Sequence, residues 1–169
     1  SEPQQIDLLR AFELVVSRLG LPDAAIKKDI ANYLTPEFPS KSNELNRELS
    51  KVLIYVDAPE GVSKTLALIN TAVDDTSAMQ LTKSSDLILR NPQYGLDIAS
   101  MLSKVPPAQQ SFYATVLSEA KTGWTPELRE KYFQWFYNAF TYKGGHSFIG
   151  FIDKARKNAL KKIDKIKWQ

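Results

Sequence analysis

The feature that most constrains this 169-residue chain is that it matches itself at an offset of 37 residues. Arg10 falls on Arg47, Phe12 on Leu49, Val15 on Val52, Val16 on Leu53 and Leu19 on Val56. Past a break, Pro22 falls on Pro59, Asp23 on Glu60 and Lys27 on Lys64. Charge, proline and apolar positions agree together, which shared helicity alone does not produce. The offset lies close to the period of about 40–47 residues that marks HEAT and armadillo arrays. A unit of this size cannot bury its own apolar stripe, so neighbouring units must stack. The repeat also resolves Val52–Val56, which alone reads as a buried strand; its partner Phe12–Leu19 has helical spacing.

Pro and Gly punctuate the apolar periodicity along the chain. The first helix is expected from about Gln5 to Leu19, with Leu8, Leu9, Phe12, Val15, Val16 and Leu19 inward and Gly20 as its stop. Pro22-Asp23 opens a second helix carrying Ile26, Ile30 and Leu34. Ser40 or Ser42 caps a third with Leu45, Leu49, Val52, Leu53 and Val56, and Pro59-Glu60 starts a fourth with Val62, Leu66 and Ile69. Residues 1–72 thus read as two helix pairs. A connection over 73–84, around Asp74-Asp75-Thr76-Ser77, leads to two further pairs over 85–169. Leu87-Ile88-Leu89 and Pro92–Leu102 resume helix. Pro106-Pro107 begins another through Phe112, Val116, Leu117 and Ala120, stopped at Gly123. Thr125-Pro126-Glu127 combines a cap, a first-turn proline and an acid, and starts a helix that runs to about Phe140. A last helix over about Ser147–Ile166 sets the stripe Phe148, Phe151, Ile152, Ala155, Ala159, Ile163, Ile166 opposite Lys154, Lys157, Lys161 and Lys165. The expected fold is all-α: one compact right-handed superhelix of antiparallel pairs, about eight helices in all.

Composition narrows the chemistry. With no cysteine and one histidine, the chain has no thiol nucleophile, thiolate metal site, Fe–S cluster or multi-histidine zinc site. No run approaches the roughly 18 apolar residues of a membrane span. The net charge of +3 is unevenly placed: residues 153–169 carry seven Lys/Arg against two Asp, and the remainder is slightly acidic. A nucleic-acid reading would rest on that helix alone.

Three features are candidates for binding. Lys143-Gly144-Gly145-His146 precedes a helix, where backbone N–H groups and positive charge attract anions; the spacing matches no phosphate-binding loop, and a tight interhelical turn capped by His146 or Ser147 is the simpler explanation. Seven rings crowd into the eleven residues Tyr132–Tyr142. Positions 128, 132, 135, 136 and 139 share one face and suit core packing, which leaves Tyr137 as the ring expected in solvent. Lys154, Lys157, Lys161 and Lys165 can meet an acidic protein, nucleic acid or an anionic membrane surface, or form a solvated outer face. No catalytic or metal-ligating set emerges. Asp74-Asp75 and Glu127/Glu130 are ordinary neighbours, and no serine elbow, Walker loop or dinucleotide fingerprint is present.

Several blocks together resemble a known family. They are Arg10-Ala11-Phe12-Glu13-Leu14 with Pro39–Leu49, Thr122-Gly123-Trp124-Thr125-Pro126-Glu127-Leu128-Arg129 with Tyr132–Phe136, and Gly144-Gly145-His146-Ser147-Phe148 through Ala155-Arg156. The chain resembles the HEAT-like helical-repeat region of large bacterial periplasmic proteins that also carry a c-type haem module and are often described as membrane-bound or sugar dehydrogenases. The resemblance implies a non-catalytic scaffold or interaction segment of a periplasmic or secreted oxidoreductase-like protein. Its partners would be other domains of the parent chain or a partner protein, with no specific nucleic acid. The family's haem attachment requires Cys-x-x-Cys-His, which this chain lacks, so no cofactor is expected in this segment. The alternative is a stand-alone binding module that presents the basic last helix to an anionic partner.

Overall fold

A computed structural model describes residues 1–72, 108–142 and 146–167, with the backbone alone for 146, 147 and 164–167. All regular structure among the described residues is helical. Seven α-helices are described: α1 Glu2–Leu19, α2 Ala24–Leu34, α3 Asn43–Tyr55, α4 Gly61–Thr71, α5 Ala108–Ser118, α6 Pro126–Ala139 and α7 His146–Lys167. A short 3-10 turn, Thr35–Glu37, follows α2. The expected connection over 73–84 and the helices proposed through Leu102 lie outside the described residues.

Local chemistry sets most helix ends. The Asp23 side chain accepts a hydrogen bond from Ile26 N at 2.9 Å, Ser42 from Leu45 N at 3.2 Å, and Thr125 from Leu128 N at 3.2 Å. Each satisfies a backbone donor that the first turn cannot. Of the two serines considered for α3, Ser42 is the cap, and its own amide donates to Ser40 Oγ at 3.1 Å. Helix α1 starts at Glu2 rather than near Gln5, because Pro3 is compatible with a first turn. At Gly61 an added Cβ would stand 3.4 Å from Leu53 O, so the missing side chain lets α4 approach α3 closely.

Helices α1, α3, α5 and α7 pack in succession, and α4 lies against α3, α5 and α6. Two cores result. One gathers Ile6, Leu9, Ala31, Phe38, Leu45, Leu49, Val52, Leu53 and Val56. The other joins Ile54, Val62, Leu66 and Ile69 to Tyr113, Leu117, Tyr132, Phe136 and Ile152. Helix α3 faces both, with Leu53 in the first and Ile54 in the second. The inward positions expected for α3 and α4 are all buried, as are Tyr132, Trp135, Phe136 and Ala139 of α6. Tyr132 seals its hydroxyl by donating to Ala114 O at 2.6 Å. Trp135 donates to Gln110 Oε1 at 3.0 Å. The crowded rings of α6 meet mostly edge to face, which the ring quadrupole favours.

The apolar stripes of the remaining helices are only partly buried. On α1 the core face is Ile6 and Leu9, and Leu8, Val15 and Leu19 are exposed because nothing among the described residues covers that side. On α2, Ile26 is exposed and Ala31 is the buried residue, since the helix touches α3 only along one edge. Helix α5 is surrounded by α3, α4 and α7, so Tyr113 and Ala114 are buried while Phe112 and Val116 are half-buried. On α7, Ile152, Ala155 and Ala159 are buried, but Phe151 remains 48% exposed.

Candidate functional site

Phe151 is exposed because it stands at the rim of a furrow between α3, α5 and α7. One end is a cavity of about 250 Å³ lined by Ile54 and Tyr55 of α3, Phe112 and Val116 of α5, and Phe151. The other end, about 680 Å³, runs along α5 and α7 past Ser118, Asp153, Lys154, Lys157 and Lys161. Thr115, Glu119 and Phe151 line both, so the two lie side by side. The furrow is apolar at one end and charged at the other.

Most of its charges are already answered. Lys162 Nζ lies 2.7 Å from Glu119 Oε2, and Asn158 also donates to Glu119. Asp153 contacts Arg156 and Lys157, each at 2.6 Å. Those two cations, Lys157 first, hold the Asp153 carboxyl below the usual range. At the apolar end, Lys51 Nζ lies 2.8 Å from Glu13 Oε2 and also meets Glu48. Exposed Lys154 and Lys161 make no hydrogen bond or ion pair among the described residues. They stand seven residues apart on α7, a rise of about 10 Å.

A separate polar cluster joins α1 to α3. Arg10 reaches Glu44 at 3.0 Å and Glu48 at 3.1 Å, and Lys51 bridges Glu13 and Glu48. Burial raises the Glu13 carboxyl, and Lys51 offsets this only in part. Burial acts on Glu48 in the same sense, but Lys51 and Arg10 outweigh it and hold that carboxyl low. Buried Glu13 Oε1 accepts no hydrogen bond.

Of the residues singled out from sequence, Lys154, Lys157 and Lys161 line the furrow. Lys165 lies on α7 and His146 opens it, with neither side chain described. Lys143, Gly144 and Gly145 fall outside the described residues. Tyr137 projects from α6 with 74% exposure and does not line the furrow. Sequence reasoning missed Tyr55, Phe112, Val116 and Phe151 as a surface. Each fits an apolar helical stripe, and only the spacing of three helices parts them from the core. Among the described residues no group of three or more His, Asp or Glu is placed to hold a metal ion, and no helix is long and apolar enough to cross a membrane.

No family model, curated protein or solved structure matches this chain.

Proposed function

We propose that this chain is a non-catalytic HEAT-like scaffold segment of a larger protein, stacked through α1 against a further helix pair of the same parent polypeptide. One observation carries the reading. The α1 stripe Leu8, Val15 and Leu19 is exposed, whereas its counterparts 37 residues on, Leu45, Val52 and Val56, are buried in the core shared with α1 and α2. Terminal units of helical arrays present polar outer faces, and an apolar one belongs to an interior unit. Ala11 adds a small side chain beside the stripe, which suits close helix approach.

The resemblance stated above supplies the parent: a periplasmic or secreted haem-containing oxidoreductase-like protein. The residues of this chain do not fit covalent haem attachment, which needs two cysteines, so that chemistry belongs to another part of the parent.

A photo-crosslinking residue placed at Val15 in the protein expressed in its own host tests both parts. We expect one defined product that maps to a helical segment of the parent polypeptide and absorbs as haem. Labelling no stronger than from the exposed Lys28 position would overturn the scaffold reading. A defined product without haem would overturn the oxidoreductase assignment alone.

A further inference from the structure

We infer that the furrow between α3, α5 and α7 is a docking site for an acidic amphipathic helix of a partner protein. This goes beyond the scaffold reading, which concerns the exposed stripe of α1. Helix-in-groove recognition needs a pocket for an apolar anchor and flanking groups that set orientation. Tyr55, Phe112 and Phe151 line an apolar pocket of about 250 Å³, and a second cavity that shares Phe151 lies beside it along α7.

Charge decides the class of occupant. Lys51, Lys157, Glu119 and Asp153 all have partners within the chain, so among the described residues of the furrow the unanswered charge is that of Lys154 and Lys161. Two turns of helix separate them, which matches carboxylates at i and i+7 on a helix lying alongside α7. Nucleic acid or an anionic membrane fits less well. Either presents continuous negative charge, whereas Lys154 and Lys161 are two discrete cations about 10 Å apart. A helix carrying two discrete acids can match them without burying further charge.

The probe is a panel of synthetic helical peptides about four turns long. Each carries Glu at i and i+7 and one Leu, Phe or Trp at a varied register, and binding is read by fluorescence anisotropy at about 50 mM salt. At least one register should bind saturably, at least about tenfold tighter than its scrambled version. The paired Lys154→Glu, Lys161→Glu variant should lose at least about tenfold in affinity. Replacing the two peptide glutamates by lysine should restore binding to that variant alone. Phe151→Ser, at a half-exposed position that folding tolerates, should cost a similar factor, and Lys28→Glu on α2 should cost none. Equal binding of scrambled peptides, failure of the charge-swap rescue, or tighter binding to single-stranded DNA or phosphatidylserine vesicles would each overturn the assignment.

Discussion

Leu8 and Leu45 are the same residue 37 positions apart in the sequence, as are Val15 and Val52. The first of each couple is 71% and 53% exposed, the second 8% and 0%. Turn glycines differ in the same way: beyond α1 nothing lies within 4 Å of a Cβ built on Gly20, but one built on Gly123 would meet Val62 at 3.3 Å. The lysines agree better. Lys27 reaches Asp57 at 2.8 Å, and Lys64 donates to the Thr35 and Phe38 carbonyls at 2.8 Å each. Apolar spacing is a local property of the chain, whereas burial belongs to whichever helix has a neighbour on that side.

The largest effect should separate the two leucines. Leu45→Ala removes buried methyl groups and leaves a cavity, at a cost of about 2–5 kcal/mol. Leu8→Ala should stay within about 0.5 kcal/mol, as exposed substitutions do. Urea denaturation of both variants measures the gap. Equal costs would mean that α1 is covered in solution, and would shift the comparison toward a self-associated chain.

A smaller effect is expected at the glycines. Both have positive φ, +88° at Gly20 and +79° at Gly123. At Gly20 ψ is 174°, an extended positive-φ conformation that is essentially confined to glycine and costs an L-residue about 1–3 kcal/mol. Gly20→Ala should pay that backbone term alone, since its Cβ meets open space. Gly123→Ala should pay a backbone term and also push on Val62, adding about 1 kcal/mol of overpacking. Thermal melts followed by tryptophan fluorescence should show both variants destabilised by at least about 1 kcal/mol.

The smallest effect concerns the α1–α3 cluster. Glu48, held low by Lys51 and Arg10 against the opposing effect of burial, contributes stability that is present above the ordinary carboxyl value of 4.5 and lost as pH falls through its lowered value. Glu13, raised by burial, works the other way and loses its contribution as pH rises through its raised value. At neutral pH Glu48→Gln should therefore destabilise and Glu13→Gln be neutral or slightly stabilising, each by less than about 1 kcal/mol because the cluster is partly solvated. Denaturation midpoints from pH 3 to 7 check the signs, and Glu48→Gln should flatten the acid limb.

Much of this architecture was legible in the residues. Thr125-Pro126-Glu127 marks the start of α6 and Asp23 that of α2, because a cap is a contact within one turn; for α3 the residues offered Ser40 or Ser42, and the structure chose Ser42. The spacing of Leu45, Leu49 and Val52 identifies the inward face of α3. The same spacing misassigned Leu8 and Val15, since periodicity reports an amphipathic stripe and not the presence of something to cover it. The lysines of the furrow were visible as a row on α7. Its apolar end was not, because Tyr55, Phe112 and Phe151 come from three helices separated in sequence.

By itself the sequence determined the all-helical class, most helix starts and the absence of thiol chemistry, all of which follow from contacts within a few residues or from composition. Only the tertiary structure decided which stripes meet a neighbour, which lysines stay unanswered and where three helices stand far enough apart to leave a furrow. Those outcomes depend on distances between residues remote in the chain, and local spacing carries no term for them.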